Sequence, residues 1–182
     1  MREQTRRRMT TALWLVAIVI PFVGYVPWRL RQLEGPFVWE GALGQWLGVW
    51  CLLNGIGLAG LCVYLFEVYG RGTPLPTAPP SAFVVAGPYR FVRNPMALGL
   101  LLLLGGEALL GRSRLMLLYG LAVFAAVHAF VVFVEEPGLQ RRFGDAYARY
   151  RQQVPRWIPR IPAGSRPCSP PPISRAPHPK SR

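Results

Sequence analysis

Glu135 and Glu136 are the adjacent residues best suited to chemistry, two of only 8 acids in a chain of 182 residues. They follow a long apolar run, and acids at the C-terminal end of a helix oppose its dipole. Their charge therefore calls for compensation, either by Arg90, Arg93, Arg141 or Arg142 or by a cationic ligand, and the two readings weigh evenly. His128 lies seven residues before Glu135, on nearly the same face of a straight helix. A single helical histidine is more often a packed, hydrogen-bonded residue than a catalyst. For an amine or hydroxyl nucleophile, His128 and Glu136 are the candidate general bases. Glu107 follows Gly105-Gly106 inside another apolar run, where a charge costs roughly 2.5–3.5 kcal/mol at the centre of a bilayer. One turn from Arg112, it is expected to form an interfacial ion pair. Cys51 and Cys62 share a face of one helix three turns apart and cannot pair. Cys168 and His178 lie in the tail, so no metal-ligand spacing exists and no metal is expected.

The elements that carry these residues are set by composition. The chain is 52% hydrophobic and 16% charged, with a formal net charge of +13. Such a basic and apolar chain suits lipid and anionic headgroups, while the long apolar runs argue against nucleic acid as a partner. Four runs approach the ~20 residues that a spanning helix needs. They are Thr11–Trp28, interrupted by Pro21; Gly41–Val68, free of proline; Met96–Gly111; and Leu115–Val134. Arg6, Arg7 and Arg8 precede the first run as in a signal peptide, but Pro21–Trp28 is bulky and has no small-x-small cleavage site. The expected fold is all-α, an integral membrane protein with about four transmembrane helices. With both termini inside, the inner segments hold 17 basic residues and the outer loops, with Arg29, Arg31, Arg112 and Arg114, hold 4. That bias puts both termini and the 69–95 segment on the cytoplasmic side, the cytoplasmic membrane being the expected location.

Glycines of the second run, Gly44, Gly48, Gly55, Gly57 and Gly60, permit close helix approach, expected within the molecule rather than in a dimer. The Gly70–Pro95 segment carries Pro74, Pro76, Pro79, Pro80 and Pro88, so it is not helical throughout. Its apolar residues suggest a defined shape at the membrane surface. After Pro137, the residues Leu139, Phe143, Tyr147, Tyr150 and Val154 recur at spacings of 4, 4, 3 and 4. That pattern predicts one C-terminal amphipathic helix over Gly138–Val154, lying in the interface and stopped by Pro155. Residues 161–182 are rich in Pro, Ser and Arg and are expected to be disordered. Three regions follow: 1–68 with two helices, 69–160 with the chemistry, and 161–182 as a tail.

Two stretches resemble the isoprenylcysteine carboxyl methyltransferase family, a group of integral membrane methyltransferases that includes phospholipid methyltransferases. The first is Gly70-Arg71-Gly72-Thr73-Pro74-Leu75-Pro76 followed by Gly87-Pro88-Tyr89-Arg90-Phe91-Val92-Arg93-Asn94-Pro95-Met96. The second is Glu135-Glu136-Pro137-Gly138-Leu139-Gln140-Arg141-Arg142-Phe143-Gly144, with Tyr147, Tyr150 and Val154-Pro155-Arg156 after it. Together they cover about residues 70–160. The resemblance implies S-adenosylmethionine as methyl donor, bound on the cytoplasmic side. By motif position its contacts fall on Ser81, Ala82, Phe83, Val84, Tyr89, Asn94, Pro95, Met96, Ala97 and Glu135. Tyr89 could stack on the cofactor or face its cation. The chain departs from the family at two places: Asn94-Pro95-Met96-Ala97 replaces the usual His-Pro-x-Tyr, and Val131 replaces an arginine suited to a substrate carboxylate.

The resemblance thus implies a membrane-embedded methyltransferase acting on a lipophilic or lipid-anchored acceptor. That acceptor is expected to enter from the bilayer between the helices carrying Asn94 and His128, past Val131. The alternatives are an NADPH-dependent membrane reductase of the sterol reductase type and a non-enzymatic four-helix membrane protein. The lipid bilayer is a partner in every case.

Overall fold

The computed structural model describes residues 13, 16–17, 20–34, 41–68 and 85–160. Ser81, Ala82, Phe83, Val84 and the 161–182 tail lie outside the described residues. Among the described residues every regular element is helical and no strand occurs. Pro21 lacks the N–H that an α-helix needs, and the backbone around it widens into a π turn, Ile20–Tyr25. This leads into α1, Val26–Leu33, with Pro27 in its first turn. Arg29 and Arg31 are therefore helical rather than in a loop, and Arg29 donates to the Gln32 side chain at 3.1 Å.

Helix α2 covers Ala42–Val68, and α3 covers Pro95–Gly111, opening on the proline whose missing N–H the first turn does not use. Helix α4, Arg114–Phe130, runs through a π turn, Val131–Glu135, into α5, Glu136–Phe143. Helix α6 covers Asp145–Gln153. Among the described residues, two helical runs are long and apolar enough to cross a membrane, α2 with 27 residues and Arg114–Phe143 with 30. At 1.5 Å per residue, about 20 residues already span the hydrocarbon core. The third expected span, α3, is apolar but shorter, with 17 residues. The fourth was expected to end at the acid pair, yet the helix continues past it. Glu135 and Glu136 thus sit inside a helical run, and the helix-dipole argument for their compensation does not hold.

The chain divides into two compact units, one of residues 1–60 and 96–128 and the other of residues 61–95 and 129–182. In the first, α2 and α3 meet at glycines. A Cβ on Gly55 would lie 2.9 Å from the Gly99 carbonyl oxygen, and one on Gly106 would lie 2.8 Å from that of Gly48. Gly57 and Gly60 face open space. The α3–α4 turn is closed by Arg112 at φ 51°, with Ser113 N–H bonded to Ala108 O and Arg112 N–H to Leu109 O. These are the two bonds of a Schellman ending. Ser113 Oγ accepts from Met116 N–H, and Glu34 accepts from the N–H groups of Arg114 and Leu115 at 3.0 and 3.2 Å. Two side chains thus cap α4, and the Ser113 hydrogen bond, reinforced by those backbone donors, holds the Glu34 carboxyl below its usual range.

In the second unit the expected amphipathic helix is two helices. Gly144, at φ 52° and ψ −127°, breaks it between α5 and α6. The anticipated apolar face exists, but protein covers it: Val85, Tyr147, Tyr150 and Val154 form a buried cluster with Leu139 and Phe143 against it. Periodicity identifies an apolar face without saying whether lipid or protein meets it.

Candidate functional site

The residues with chemical potential in the second unit gather around the 3₁₀ turn Gly87–Arg90 and the junction between the π turn and α5. Gly87 allows that turn at φ 54°, a left-handed conformation favouring glycine. Pro88 presets its first position. The turn sends Tyr89 inward, where it is buried, with its ring edge-on to Phe66 at 5.5 Å between centroids. The Tyr89 carbonyl accepts from the Tyr150 hydroxyl at 2.7 Å. Its own hydroxyl lies beside the Cys62 thiol. Burial, followed by Cys62 and by the negative charge of Glu135, pushes this phenol far above its usual range. Tyr89 is therefore a neutral hydroxyl in the neighbourhood of the Glu135 carboxylate.

The two acids have different surroundings. Glu136 is buried, and its Oε1 accepts from Arg93 Nη1 and from Arg156 Nε, both at 2.8 Å. Its Oε2 accepts from Arg156 Nη2 at 3.0 Å, so the Arg156–Glu136 pair is bidentate. Arg93 was among the partners expected from the sequence, and Arg156 was not. Glu135 is exposed and makes no hydrogen bond or ion pair with any other described residue. One acid thus takes both guanidinium groups, and its neighbour has no hydrogen-bonding partner among the described residues.

A strap after α6 fixes the Arg93 end of this arrangement. Arg93 N–H donates to Pro155 O at 2.9 Å and Arg160 N–H to Phe91 O at 3.1 Å. The Asn94 side chain donates to Arg156 O at 3.3 Å. Tyr147, almost wholly enclosed, is hydrogen-bonded to Arg93, and burial foremost keeps its phenol protonated. The hydrogen bond to Glu136 holds the Arg156 guanidinium above its already high range.

Of the expected site residues, the structure brings together Tyr89, Asn94, Glu135 and Glu136. Pro95 is fully buried at the start of α3 and offers a ligand no surface. Met96 and Ala97 are half-buried and belong to the first unit, as does His128, whose ring neighbours Phe124 at 6.0 Å. The π turn between His128 and Glu135 breaks the seven-residue alignment of a straight α-helix. Val131 is 2% exposed and packs into the interior instead of lining an open path. The anticipated Glu107–Arg112 pair does not form, since Glu107 Oε2 is buried without a hydrogen-bond partner. Cys62, Tyr147, Tyr150 and Arg156 complete the cluster but were not read as site residues. Arg156 follows a proline within the second resembling stretch, yet 20 residues of separation hide its pairing with Glu136. Among the described residues no three His, Cys, Asp or Glu side chains could together hold a metal ion.

Comparison with known proteins gives two matches. The model of the phospholipid methyltransferase family matches residues 38–146, more than half of the chain. A protein-S-isoprenylcysteine O-methyltransferase of Schizosaccharomyces pombe (strain 972 / ATCC 24843) is 38% identical over 80 residues, 43% of this chain and 34% of that protein. The chain therefore matches about a third of the relative's length. No solved structure matches.

Proposed function

Since the chain belongs to the phospholipid methyltransferase family, we propose that it is a membrane-embedded, S-adenosylmethionine-dependent methyltransferase acting on a lipophilic or lipid-anchored acceptor. The observation that carries this reading is the contrast between the adjacent acids: Glu136 is clamped by Arg93 and Arg156, while Glu135, near the Tyr89 hydroxyl, has no partner among the described residues. A carboxyl group with no described partner beside a neutral phenol fits a ligand with both a cationic group and hydroxyl donors, and S-adenosylmethionine has an ammonium, a sulfonium and ribose hydroxyls. When bound, it supplies an electrophilic methyl group.

The roles of this chain's residues follow from their surroundings. Glu135 accepts from an N–H or O–H of the cofactor, and Tyr89 lines the site beside it. Asn94 and Arg93 hold the strap that keeps Glu136 in place. A carboxylate already accepting from two guanidinium groups is a weak base, so Glu136 is assigned to positioning. A carboxylate acceptor needs no base, whereas an amine or hydroxyl acceptor does, and His128 is the candidate for it. Ser81, Ala82, Phe83, Val84, Met96 and Ala97 complete the proposed cofactor contacts. With Val131 in place of an arginine, the acceptor is assigned by its lipophilic character and not by a carboxylate. The full proposal has four spans, with both termini and the 69–95 segment facing the cytoplasm, supported by the 17 to 4 basic bias.

Equilibrium binding of S-adenosylmethionine and of NADPH to the detergent-purified chain tests the reading. Selective binding of S-adenosylmethionine is expected, and selective binding of NADPH would indicate a reductase instead. In Glu135→Gln, loss of a charge-assisted hydrogen bond of about 1.5–3 kcal/mol weakens S-adenosylmethionine about ten- to a hundred-fold. Unchanged affinity would remove Glu135 from the site.

A further inference from the structure

The turn that places Tyr89 leaves its carbonyl without a backbone donor among the described residues. In a continuing helix that oxygen would accept from the N–H of Val92 or of Arg93. Here Val92 N–H donates to Pro88 O at 3.1 Å and Arg93 N–H to Pro155 O at 2.9 Å. The Tyr150 hydroxyl takes their place, donating to Tyr89 O at 2.7 Å from 61 residues further along the chain. Both tyrosines are buried, so a carbonyl that lost this donor would stay unsatisfied.

Tyr150 is a firm anchor. Its ring belongs to the buried cluster with Val85, Tyr147 and Val154, and it stands 6.2 Å from the Tyr147 ring. On its other side the turn is bounded by Leu65, which a Cβ on Gly87 would approach to 2.8 Å. From this fixed backbone the Tyr89 ring runs inward, edge-on to Phe66. Its hydroxyl ends beside the fully buried Cys62 and within the field of Glu135. The phenol oxygen is at the far end of a rigid ring, so a small rotation of the backbone at Tyr89 displaces it strongly. A misplacement of about 1 Å in a binding group can cost roughly a hundred-fold. We propose that Tyr150 is a positioning residue of the cofactor site: through the Tyr89 carbonyl it fixes where the Tyr89 hydroxyl stands relative to Glu135. It acts through Tyr89 and not on the cofactor. This inference rests on the reading, given above, that Tyr89 lines the S-adenosylmethionine site.

Tyr150→Phe keeps the ring that fills the cluster and removes only the donor. Val154→Ala loosens the same cluster and keeps the hydrogen bond, so it controls for destabilisation alone. The full chain in detergent gives two readouts. In a Cys51→Ser, Cys168→Ser background, the rate at which N-ethylmaleimide modifies Cys62 reports whether the turn holds Tyr89 over that thiol. Tyr150→Phe is expected to raise this rate about ten-fold, as one unsatisfied buried carbonyl would, and Val154→Ala to change it little. The second readout is S-adenosylmethionine affinity in Tyr89→Phe, Tyr150→Phe and the double variant. Each single substitution should weaken binding about two- to ten-fold, and the double variant should bind no more weakly than Tyr89→Phe. Multiplying effects in the double variant, or parental affinity in Tyr150→Phe, would overturn the proposal. Equal Cys62 rates in Tyr150→Phe and Val154→Ala would overturn it as well. A parent chain that binds no S-adenosylmethionine would end the proposed function, whereas the Cys62 rates would still decide whether Tyr150 holds Tyr89 in place.

Discussion

Glu136 and Glu135 differ by one position and should differ in what their loss affects. Removing one partner of a buried, bidentate ion pair leaves the other charge uncompensated, typically at 3–5 kcal/mol. Glu136 and Arg93 side chains are only 8% and 11% exposed, and Arg156 is 29% exposed. Glu136→Gln is therefore expected to destabilise the protein by about 3 kcal/mol, measured by denaturant unfolding in detergent. Arg156→Lys keeps the charge but loses the planar fork, so it should destabilise less than Glu136→Gln. Glu135→Gln should leave stability nearly unchanged, since Glu135 has no described partner to lose. If Glu135→Gln proved the more damaging of the two to stability, the assignment of clamp and free acid would be reversed.

The same contrast between occupied and open space operates between helices. Gly55 is wedged against the Gly99 carbonyl and Leu103, at 2.9 Å for an added Cβ. Gly55→Val must push α2 from α3 and is expected to lose about 1–3 kcal/mol. Gly57, two residues on, faces nothing within 4 Å, and Gly57→Ala should gain up to about 1 kcal/mol through helix propensity. Gly144 also has open space, but φ 52° with ψ −127° is a conformation that L residues avoid. Gly144→Ala is thus expected to lose about 1–3 kcal/mol through backbone strain alone. Unfolding free energies of the three variants check all three signs. The α4 cap adds a pH dependence. Its carboxyl pKa is lowered in the folded state, so the contribution of Glu34 is present above the ordinary carboxylate range and is lost as pH falls through the folded value. Thermal unfolding of Glu34→Gln against the parent should show a difference at neutral pH that shrinks on acidification.

At the scale of the whole molecule, the proposed topology rests on the distribution of arginine along the chain. In the proposed topology Arg112 faces outward, whereas Arg149 on α6 faces the cytoplasm. In a Cys168→Ser background, a membrane-impermeant thiol reagent applied to intact cells should label Arg112→Cys and not Arg149→Cys. Labelling of Arg149→Cys from outside would invert the orientation and move the proposed cofactor site to the other face.

The sequence by itself determined the helical class, the two runs of spanning length, the tight α3–α4 turn and the family. Each of these follows from local composition or from motif residues close together in the chain. It also identified Glu135, Glu136, Tyr89 and Asn94 as residues of interest, with Arg93 among the partners expected for the acids. Only the tertiary structure decided which acid is occupied, because Arg156 reaches Glu136 across 20 residues through a strap held by backbone bonds at Arg93 and Phe91. Similarly, periodicity gave Tyr147, Tyr150 and Val154 one face, but packing against Val85 decided that protein covers it. Glu107 shows the same limit, since sequence spacing offered Arg112 as a partner while the fold left Oε2 unpaired. The physical reason is common to all three. Hydrophobic patterning and backbone propensity act over a few residues, whereas the pairing of a charge depends on which donors the completed fold brings within hydrogen-bonding distance.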